Sequence, residues 1–405
     1  MVKLNDYDLI IVGAGPSGLF LGKEAKKQGL SVAIFDREKK FGGILNQCIH
    51  NGFGLTTYKK DLTGPELVDE LKEEVLSLNI PIILNSFCLG FEDNNLYFLS
   101  PKGVIKVQGK YYTFSLGARE RNRGSLFIEG DRPSGIFTAG FAQYLTNILG
   151  LKVSNRAIIL GSGDIGLIMA RGLKIEGVDV VGVFELMPFF GGLPRNIRQC
   201  LEDFDIPLYL SHTVVRVEGY NRLNRVYISK VNENQKPIGP IKEYNVDTLL
   251  LSVGLIPEVD IIRKILIIDK ATNGPVVNQY FETNVENVFV IGNSLTIFDL
   301  VDSAMVSSLN VLKRILNKKR VTYETYIEKG KFIKTLVPQK LERDGTKVKI
   351  YFRVKEPLFN KSVVLREKNR VLKEVKKISI YPAQMDEIEI DTNLIEHERL
   401  ILEII

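Results

Sequence analysis

The chain has 405 residues, 45% hydrophobic and 25% charged, with 54 Lys and Arg against 48 Asp and Glu for a net charge of +6. That length accommodates two or three domains with substantial cores, and the interspersed signs read as solubility rather than a nucleic-acid footprint. No apolar run approaches the roughly 20 residues of a membrane span, and Met1 lies too close to the first strand for a signal peptide, so the expected location is the cytoplasm.

In chain order, the first predicted strand starts at Asp8 and runs into Gly13-Ala-Gly15-Pro16-Ser17-Gly18. A helix follows, and the next strand, Val32 to Asp36, ends on a carboxylate with Arg37 beside it. This is a GxGxxG turn in its full strand–turn–helix–strand setting. Its glycines allow the tight turn and the close approach of a pyrophosphate to the helix N-terminus, while the carboxylate accepts from a ribose. Gly42-Gly43 and a Gly/Asn-rich loop come next, carrying Cys48 and His50. Thr63, Pro65 and Glu66 then give the pattern of a capped helix start. Short alternating strands are predicted from about Ile82 to Val107, and a further strand ends on Gly117.

A crossover through Pro133 and Gly135 leads to a second copy of the signature about 150 residues after the first. Strand Arg156 to Leu160 enters Gly161-Ser-Gly163-Asp164-Ile165-Gly166, and the strand after the next helix ends on Glu185. Strands are predicted around 207–217, 226–230 and 246–253, closing at Gly254. Val288 to Gly292-Asn293 reads as a strand and turn, and Asp299 to Leu316 as a helix. Beyond about Arg320, alternating patterns at 347–354, 362–365 and 378–380 predict a small separate β domain, expected to be a sandwich. Its apolar tail, Leu400 to Ile405, is expected to be partly exposed in a monomer and to mark a docking surface.

Three cysteines, Cys48, Cys88 and Cys200, with no CxxC, exclude a disulfide framework, a structural zinc site and an all-cysteine iron–sulfur cluster held by this chain alone. No His/Asp/Glu grouping has metal-ligand spacing, and no metal is expected. His212 and His397 read as structural.

Both GxGxxG units, Gly42-Gly43, Leu116-Gly117-Ala-Arg119, Ser252 to Pro257 and Val290-Ile-Gly292-Asn293 resemble, in order, the two-dinucleotide-binding flavoproteins that include thioredoxin and glutathione reductases. The resemblance implies an α/β fold of two Rossmann-like, three-layer ββα domains, the NAD domain inserted in the FAD domain, plus a small C-terminal all-β domain. The expected boundaries are 1–119 with 258–320 for FAD, 120–257 for NAD(H), and 321–405 for the β domain. FAD is assigned to Gly13, Gly15, Pro16, Ser17, Gly18, Asp36, Arg37, Gly42, Gly43, Gly117, Gly292 and Asn293, the last replacing the family's Asp. NAD(H) is assigned to Gly161, Gly163, Asp164, Ile165, Gly166, Glu185 and Gly254. Glu185 favours the free ribose of NAD(H) over a 2′-phosphate.

The redox cysteine pairs of those reductases are missing: Cys48 stands alone, and Ala139 and Ala142 occupy the CxxC positions. Without a dithiol there is no thiol–disulfide relay. Cys48 and His50 are the catalytic candidates, either as a redox thiol and its neighbour or as packing that shapes the flavin pocket. Asp164 stands where relatives gate the flavin face, or serves as a helix cap.

The segments Gly42 to Gly54, Leu62 to Glu66, Leu160 to Arg171, Arg195-Asn-Ile, Asp203 to His212 and Tyr351 to Glu356 more closely resemble flavoprotein subunits that accompany glycerol-3-phosphate dehydrogenase-like partners, related to amino-acid dehydrogenase alpha subunits. That resemblance implies an NADH-handling subunit trading electrons with a substrate-oxidising flavoprotein partner, with a small iron–sulfur or CxxC-containing chain as a further candidate. A self-sufficient NADH oxidase or peroxidase, and a relay subunit with a vestigial second site, are the alternatives.

Overall fold

The computed structural model describes residues 2–3, 7–317 and 324–405; the expected boundary at Arg320 lies outside the described residues. Six α-helices occur among them: α1 (Pro16–Lys27), α2 (Gly64–Ser77), α3 (Ala139–Asn147), α4 (Asp164–Ile175), α5 (Pro194–Cys200) and α6 (Val301–Leu316). The chain divides into two compact units, Met1–Ala118 with Ile256–Ile405, and Arg119–Leu255.

In the first unit a parallel sheet runs in the order Ile82–Ile83, Val32–Phe35, Tyr7–Val12, Gly103–Phe114, with Val288–Val290 also on the last strand. Its central strands are continuous apolar runs because both faces are covered: Leu9, Ile10, Ile11, Ile34 and Phe35 are fully buried. Helices α1, α2 and α6 contribute Leu19, Leu71 and Met305 to the same core. The early part of Gly103–Phe114 pairs antiparallel with Asn95–Ser100, which pairs with Phe87–Glu92, giving the third layer. Helix α2 opens on a capping box: Glu66 N–H donates to Thr63 Oγ at 3.4 Å, and Thr63 N–H to Glu66 Oε2 at 2.7 Å.

The second unit repeats the plan. Its parallel sheet runs Leu208–Leu210, Asp179–Glu185, Arg156–Leu160, Thr248–Leu251, Ile136–Thr138, the same sequence of sheet positions as in the first. Side chains of Arg156–Leu160 alternate between two cores, Ala157 and Ile159 joining Leu167 and Leu173 of α4, and Ile158 and Leu160 joining Val217 and Val226 of the antiparallel layer. That layer is His212–Gly219, Leu223–Val231 and Pro237–Asn245.

Residues 324–405 are all β. A five-stranded sheet (Lys340–Glu342, Glu324–Lys329, Arg399–Ile404, Leu358–Glu367, Arg370–Ile380) and a three-stranded sheet (Ile333–Val337, Lys347–Val354, Asp386–Asp391) share a core of Ile350, Phe352, Leu365 and Leu400. The apolar tail is exposed only in part: Ile405 is 58% exposed and Ile401 half-buried, whereas the other apolar residues are covered. Arg399–Ile404 pairs with Glu324–Lys329 on one side and Leu358–Glu367 on the other, so strand alternation turns Leu400, Leu402 and Ile404 into the core. Within the first compact unit, buried polar groups fasten this sandwich to the strand–turn region before α6. Arg314 of α6 pairs with Glu282 at 3.1 Å and with Glu342 of the sandwich, and Val277 N–H donates to Gln339 Oε1 at 3.0 Å.

Candidate functional site

The two glycine turns are built alike. Gly13 (φ +112°) and Gly161 (φ +98°) hold a backbone that other residues resist, and a Cβ at either would lie 2.2 Å from Ser115 O or 2.1 Å from Ser252 O. A Cβ on Gly18 would stand 2.0 Å from Gly13 O, and one on Gly166 2.7 Å from Gly161 O, so helix and turn approach as backbone on backbone. The middle glycines differ from these. Around Gly15 nothing lies within 4 Å of a would-be Cβ, and at Gly163 the nearest atom is Ser252 Oγ at 3.5 Å. Each therefore borders open space at a helix N-terminus, where unsatisfied amides and the helix dipole favour an anion. Pro16 takes the first position of α1, whose first turn carries no acidic residue. Ser17 is buried behind it.

Both carboxylates close onto their own turns. Asp36 Oδ2 accepts from Ala14 N–H at 2.6 Å and Oδ1 from Glu38 N–H at 2.8 Å. Glu185 Oε2 accepts from Ser162 N–H at 2.9 Å and Ser162 Oγ at 2.6 Å, and Oε1 from Met187 N–H at 2.9 Å. An ionised carboxylate has about four lone-pair sites, so both retain capacity for ribose hydroxyls. The residues present thus fit a dinucleotide at each turn: an open anion cradle followed by a fixed carboxylate. Arg37 lies exposed and pairs with Glu38 at 3.3 Å.

Gly42 and Gly43, both at positive φ, bring a loop back to the first turn: Gly42 N–H donates to Ala14 O at 2.7 Å, and a Cβ on Gly43 would stand 3.4 Å from Gly15 Cα. The second unit has a counterpart that sequence reasoning missed. Gly191 N–H donates to Ser162 Oγ at 2.7 Å, and a Cβ on Gly192 would sit 2.9 Å from Ser162 O. The Phe-Gly-Gly run at Phe41 and again at Phe190 was the available signal. Asp164 fastens this loop, accepting from Leu193 N–H at 2.8 Å and Asn196 Nδ2 at 2.6 Å. Its Oδ1 thus holds the loop over the turn; Ile165 follows it in the first turn of α4.

Gly292 (φ +60°) meets the first turn of α1, where its added Cβ would stand 2.8 Å from Ser17 Oγ. Asn293 Oδ1 accepts from Phe298 N–H at 3.0 Å. Gly117 (φ +76°) and Gly254 (φ +101°) have open surroundings, and their carbonyls accept from Glu258 and Arg121 amides at 3.0 and 3.1 Å.

The structure places Cys48 and His50 in one loop of the first unit. Cys48 Sγ donates to Ile44 O at 3.3 Å, and burial pushes the thiol up to about 12. His50 Nδ1 lies 2.9 Å from Asn51 O, its ring 4.9 Å from that of Phe53. A second residue that sequence reasoning missed holds the end of this loop: buried Asp302, in the first turn of α6, accepts from Gly54, Thr56 and Thr57 amides at 2.9, 3.0 and 2.8 Å and from Thr57 Oγ at 2.7 Å. Nothing local marks it, because its partners lie about 245 residues away.

Among the described residues one His/carboxylate group has ligand atoms within 4.8 Å of one another: Glu367, Glu396 and His397. Glu367 Oε1 already accepts the amides of Glu396 and His397, and Glu396 pairs with Arg370, which suits a fastened turn between strands. No helix among the described residues is long and apolar enough to cross a membrane.

Against known proteins, residues 7–307 match the family described as pyridine nucleotide-disulphide oxidoreductase. Dihydrolipoyl dehydrogenase of Mycoplasma pneumoniae is 24% identical over 355 residues, spanning 78% of this chain and 72% of that protein. Sarcosine oxidase subunit alpha of Rhizobium meliloti is 25% identical over 215 residues, spanning 48% of this chain and 21% of the other. Thioredoxin reductase of T. acidophilum shares the fold, with a TM-score of 0.63 at 20% identity over 78% of this chain and 99% of its own.

Proposed function

Because the chain belongs to the pyridine nucleotide-disulphide oxidoreductases, enzymes that use FAD and a nicotinamide nucleotide, we propose that it is the NAD(H)- and FAD-binding subunit of a heteromeric dehydrogenase. In this reading it moves electrons between NAD(H) and FAD and on to or from a flavoprotein partner of glycerol-3-phosphate dehydrogenase or amino-acid dehydrogenase type. Glycerol 3-phosphate is the proposed substrate of that partner, and a small iron–sulfur or CxxC-containing chain is a further proposed member.

The observation that carries the reading is the state of Cys48. It is the lone cysteine in its loop, and a thiol held near 12 is protonated at neutral pH, so it is a poor nucleophile and a poor peroxide reductant. In this reading electrons leave the first site by a route other than Cys48. The likeness to a subunit alpha supports a partner that receives or delivers them.

When bound, the two nucleotides supply hydride and electron transfer; the protein supplies binding and orientation. The amides at the start of α1 and the open edge of Gly15 would hold the first pyrophosphate, and Asp36 would orient its ribose. In the second unit Gly163 and α4 would play the same part, and the triply bonded Glu185 would favour a ribose without a 2′-phosphate.

Anaerobic titration of the purified yellow protein tests this: NADH should bleach the flavin and NADPH should do so far less well. Copurification from the native source should bring down a second flavoprotein that oxidises glycerol 3-phosphate. Rapid NADH consumption with oxygen by the isolated chain would favour a self-sufficient oxidase instead. Flavin that NADH fails to reduce would favour a relay subunit.

A further inference from the structure

The C-terminal sandwich grips the turn beside the first cradle, and Arg353 makes most of the side-chain hydrogen bonds between them. The turn after Val288–Val290 starts at Gly292, against Ser17 of α1, and folds back on itself. Leu295 N–H donates to Gly292 O at 2.9 Å and Phe298 N–H to Asn293 Oδ1 at 3.0 Å. The next residues are held from outside. Arg353, in strand Lys347–Val354 of the sandwich, donates through Nη2 to Ile297 O at 2.9 Å and to Asp299 Oδ1. Through Nη1 it donates to Pro382 O at 3.1 Å and to Ala383 O. Asp299 Oδ2 in turn accepts from Met385 N–H, and the ring of Tyr351 meets that of buried Phe298 edge-on at 5.7 Å.

We propose that Arg353 is a positioning residue for the FAD site, and that the sandwich serves as a brace that fixes the Gly292–Asp299 turn against the N-terminus of α1. The inference rests on the assignment of FAD to the first cradle. The guanidinium suits the task because its planar fork serves two clients at once, the 382–383 turn of the sandwich and the 297–299 turn beside the cradle. Arg353 and Asp299 are mostly shielded, with side chains 15% and 11% exposed, so the pair is little screened by solvent. A lysine, with a compact ammonium, cannot span both turns. The sandwich is thereby a part of the flavin-binding machinery, and not an appendage that can be removed without consequence to it.

The test compares Arg353→Met and Arg353→Lys with Leu365→Ala, which opens a cavity in the sandwich core away from the turn. FAD dissociation constants come from titrating flavin into the stripped protein, alongside the visible absorption bands of bound flavin and the melting temperature. Arg353→Met should weaken FAD binding about tenfold or more and shift the flavin bands, since it removes charge-assisted bonds to the turn. Arg353→Lys should fall between it and wild type, and remains informative if the Met variant fails to fold. Leu365→Ala should lower the melting temperature while leaving the FAD constant within about twofold. Both Arg353 variants within about twofold of wild type would overturn the proposal. So would an equal loss in Leu365→Ala, which would reduce the effect to general stability. A wild-type chain that takes up no FAD would instead sink the assignment of the first site.

Discussion

Glu185 Oε2 accepts two hydrogen bonds from one residue, Ser162: its amide at 2.9 Å and its hydroxyl at 2.6 Å. At the matching place in the first unit Ala14 has only an amide to offer Asp36. The Ser162 hydroxyl also accepts from Gly191 N–H, so one oxygen ties the carboxylate strand, the glycine turn and the covering loop together. The second carboxylate is thus fixed by three hydrogen bonds within the protein.

Glu185→Ala should weaken NADH binding about tenfold and narrow the preference over NADPH, because it removes a charged acceptor for ribose hydroxyls and the group that repels a 2′-phosphate. Ser162→Ala should give a smaller loss of the same kind. Anaerobic titrations with both nucleotides provide the comparison. An unchanged preference in Glu185→Ala would show that specificity resides elsewhere.

Two glycines of the first turn should behave differently when enlarged. Gly13→Ala places a Cβ 2.2 Å from Ser115 O at φ +112°, so the protein should lose folding stability as well as flavin. Gly15→Val meets no protein atom within 4 Å of the new Cβ; it should fold, melt near wild type, and come off the column colourless. Circular dichroism melts and flavin absorbance separate the cases. A yellow Gly15→Val protein would remove FAD from this cradle.

The glycine turns were legible in sequence because backbone geometry dictates them: only glycine suits Gly13 and Gly161, and the strand, helix and carboxylate around each follow from periodicity. The alternation that exposes a strand also revealed the C-terminal β region. What it could not reveal was pairing. Leu400–Ile405 reads as a partly exposed tail, and the burial of Leu400, Leu402 and Ile404 follows from partners, Glu324–Lys329 and Leu358–Glu367, that only tertiary register sets. Asp302 and Arg353 were silent for the same reason, since each acts on segments far away in the chain. Asp164 was visible as a residue, but its role depended on a loop, Gly191–Leu193, whose repeat of Gly42–Gly43 went unread.

Cys48→Ala should keep flavin reduction by NADH close to wild type. A thiol raised by burial to about 12 stays protonated through the physiological range. In the native protein at pH 8 it should resist iodoacetamide far longer than after unfolding, where it returns to the ordinary thiol range. Mass spectrometry of timed alkylation provides the check, and rapid native labelling would restore a chemical role for this residue.

Asp8, near the start of the central strand Tyr7–Val12, accepts from Lys110 Nζ at 2.7 Å and from Ser31 N–H and Oγ at 2.9 and 2.8 Å. The Lys110 bond leads, with those from Ser31, in holding its carboxyl at about 2, below 3.8. A depressed acid stabilises the fold above the unfolded-state value, and that contribution disappears as pH falls from about 4 through about 2. Asp8→Asn should therefore melt earlier than wild type at pH 7, with the gap closing over that acidic window. Melting curves across pH would reveal a constant gap if the effect were only lost geometry.

The Arg314 ion cluster makes the last prediction. Its guanidinium side chain is 3% exposed, Glu282 5% and Glu342 9%, and it lies 4.2 Å over the ring of Tyr280. Glu342 belongs to the sandwich and Glu282 to the segment before α6, so this one cation joins three parts of the first unit. Arg314→Met should cost about 3–5 kcal/mol, because it leaves two buried carboxylates facing each other without their shared counter-ion. The loss should not be read as the worth of the ion pairs themselves. Adding Glu282→Gln and Glu342→Gln to Arg314→Met should recover much of it, since neutral amides remove the uncompensated charge. Urea unfolding at pH 7 measures both steps. A single variant within about 1 kcal/mol of wild type, or a triple variant no more stable than the single, would mean that these carboxylates are already relieved by other partners.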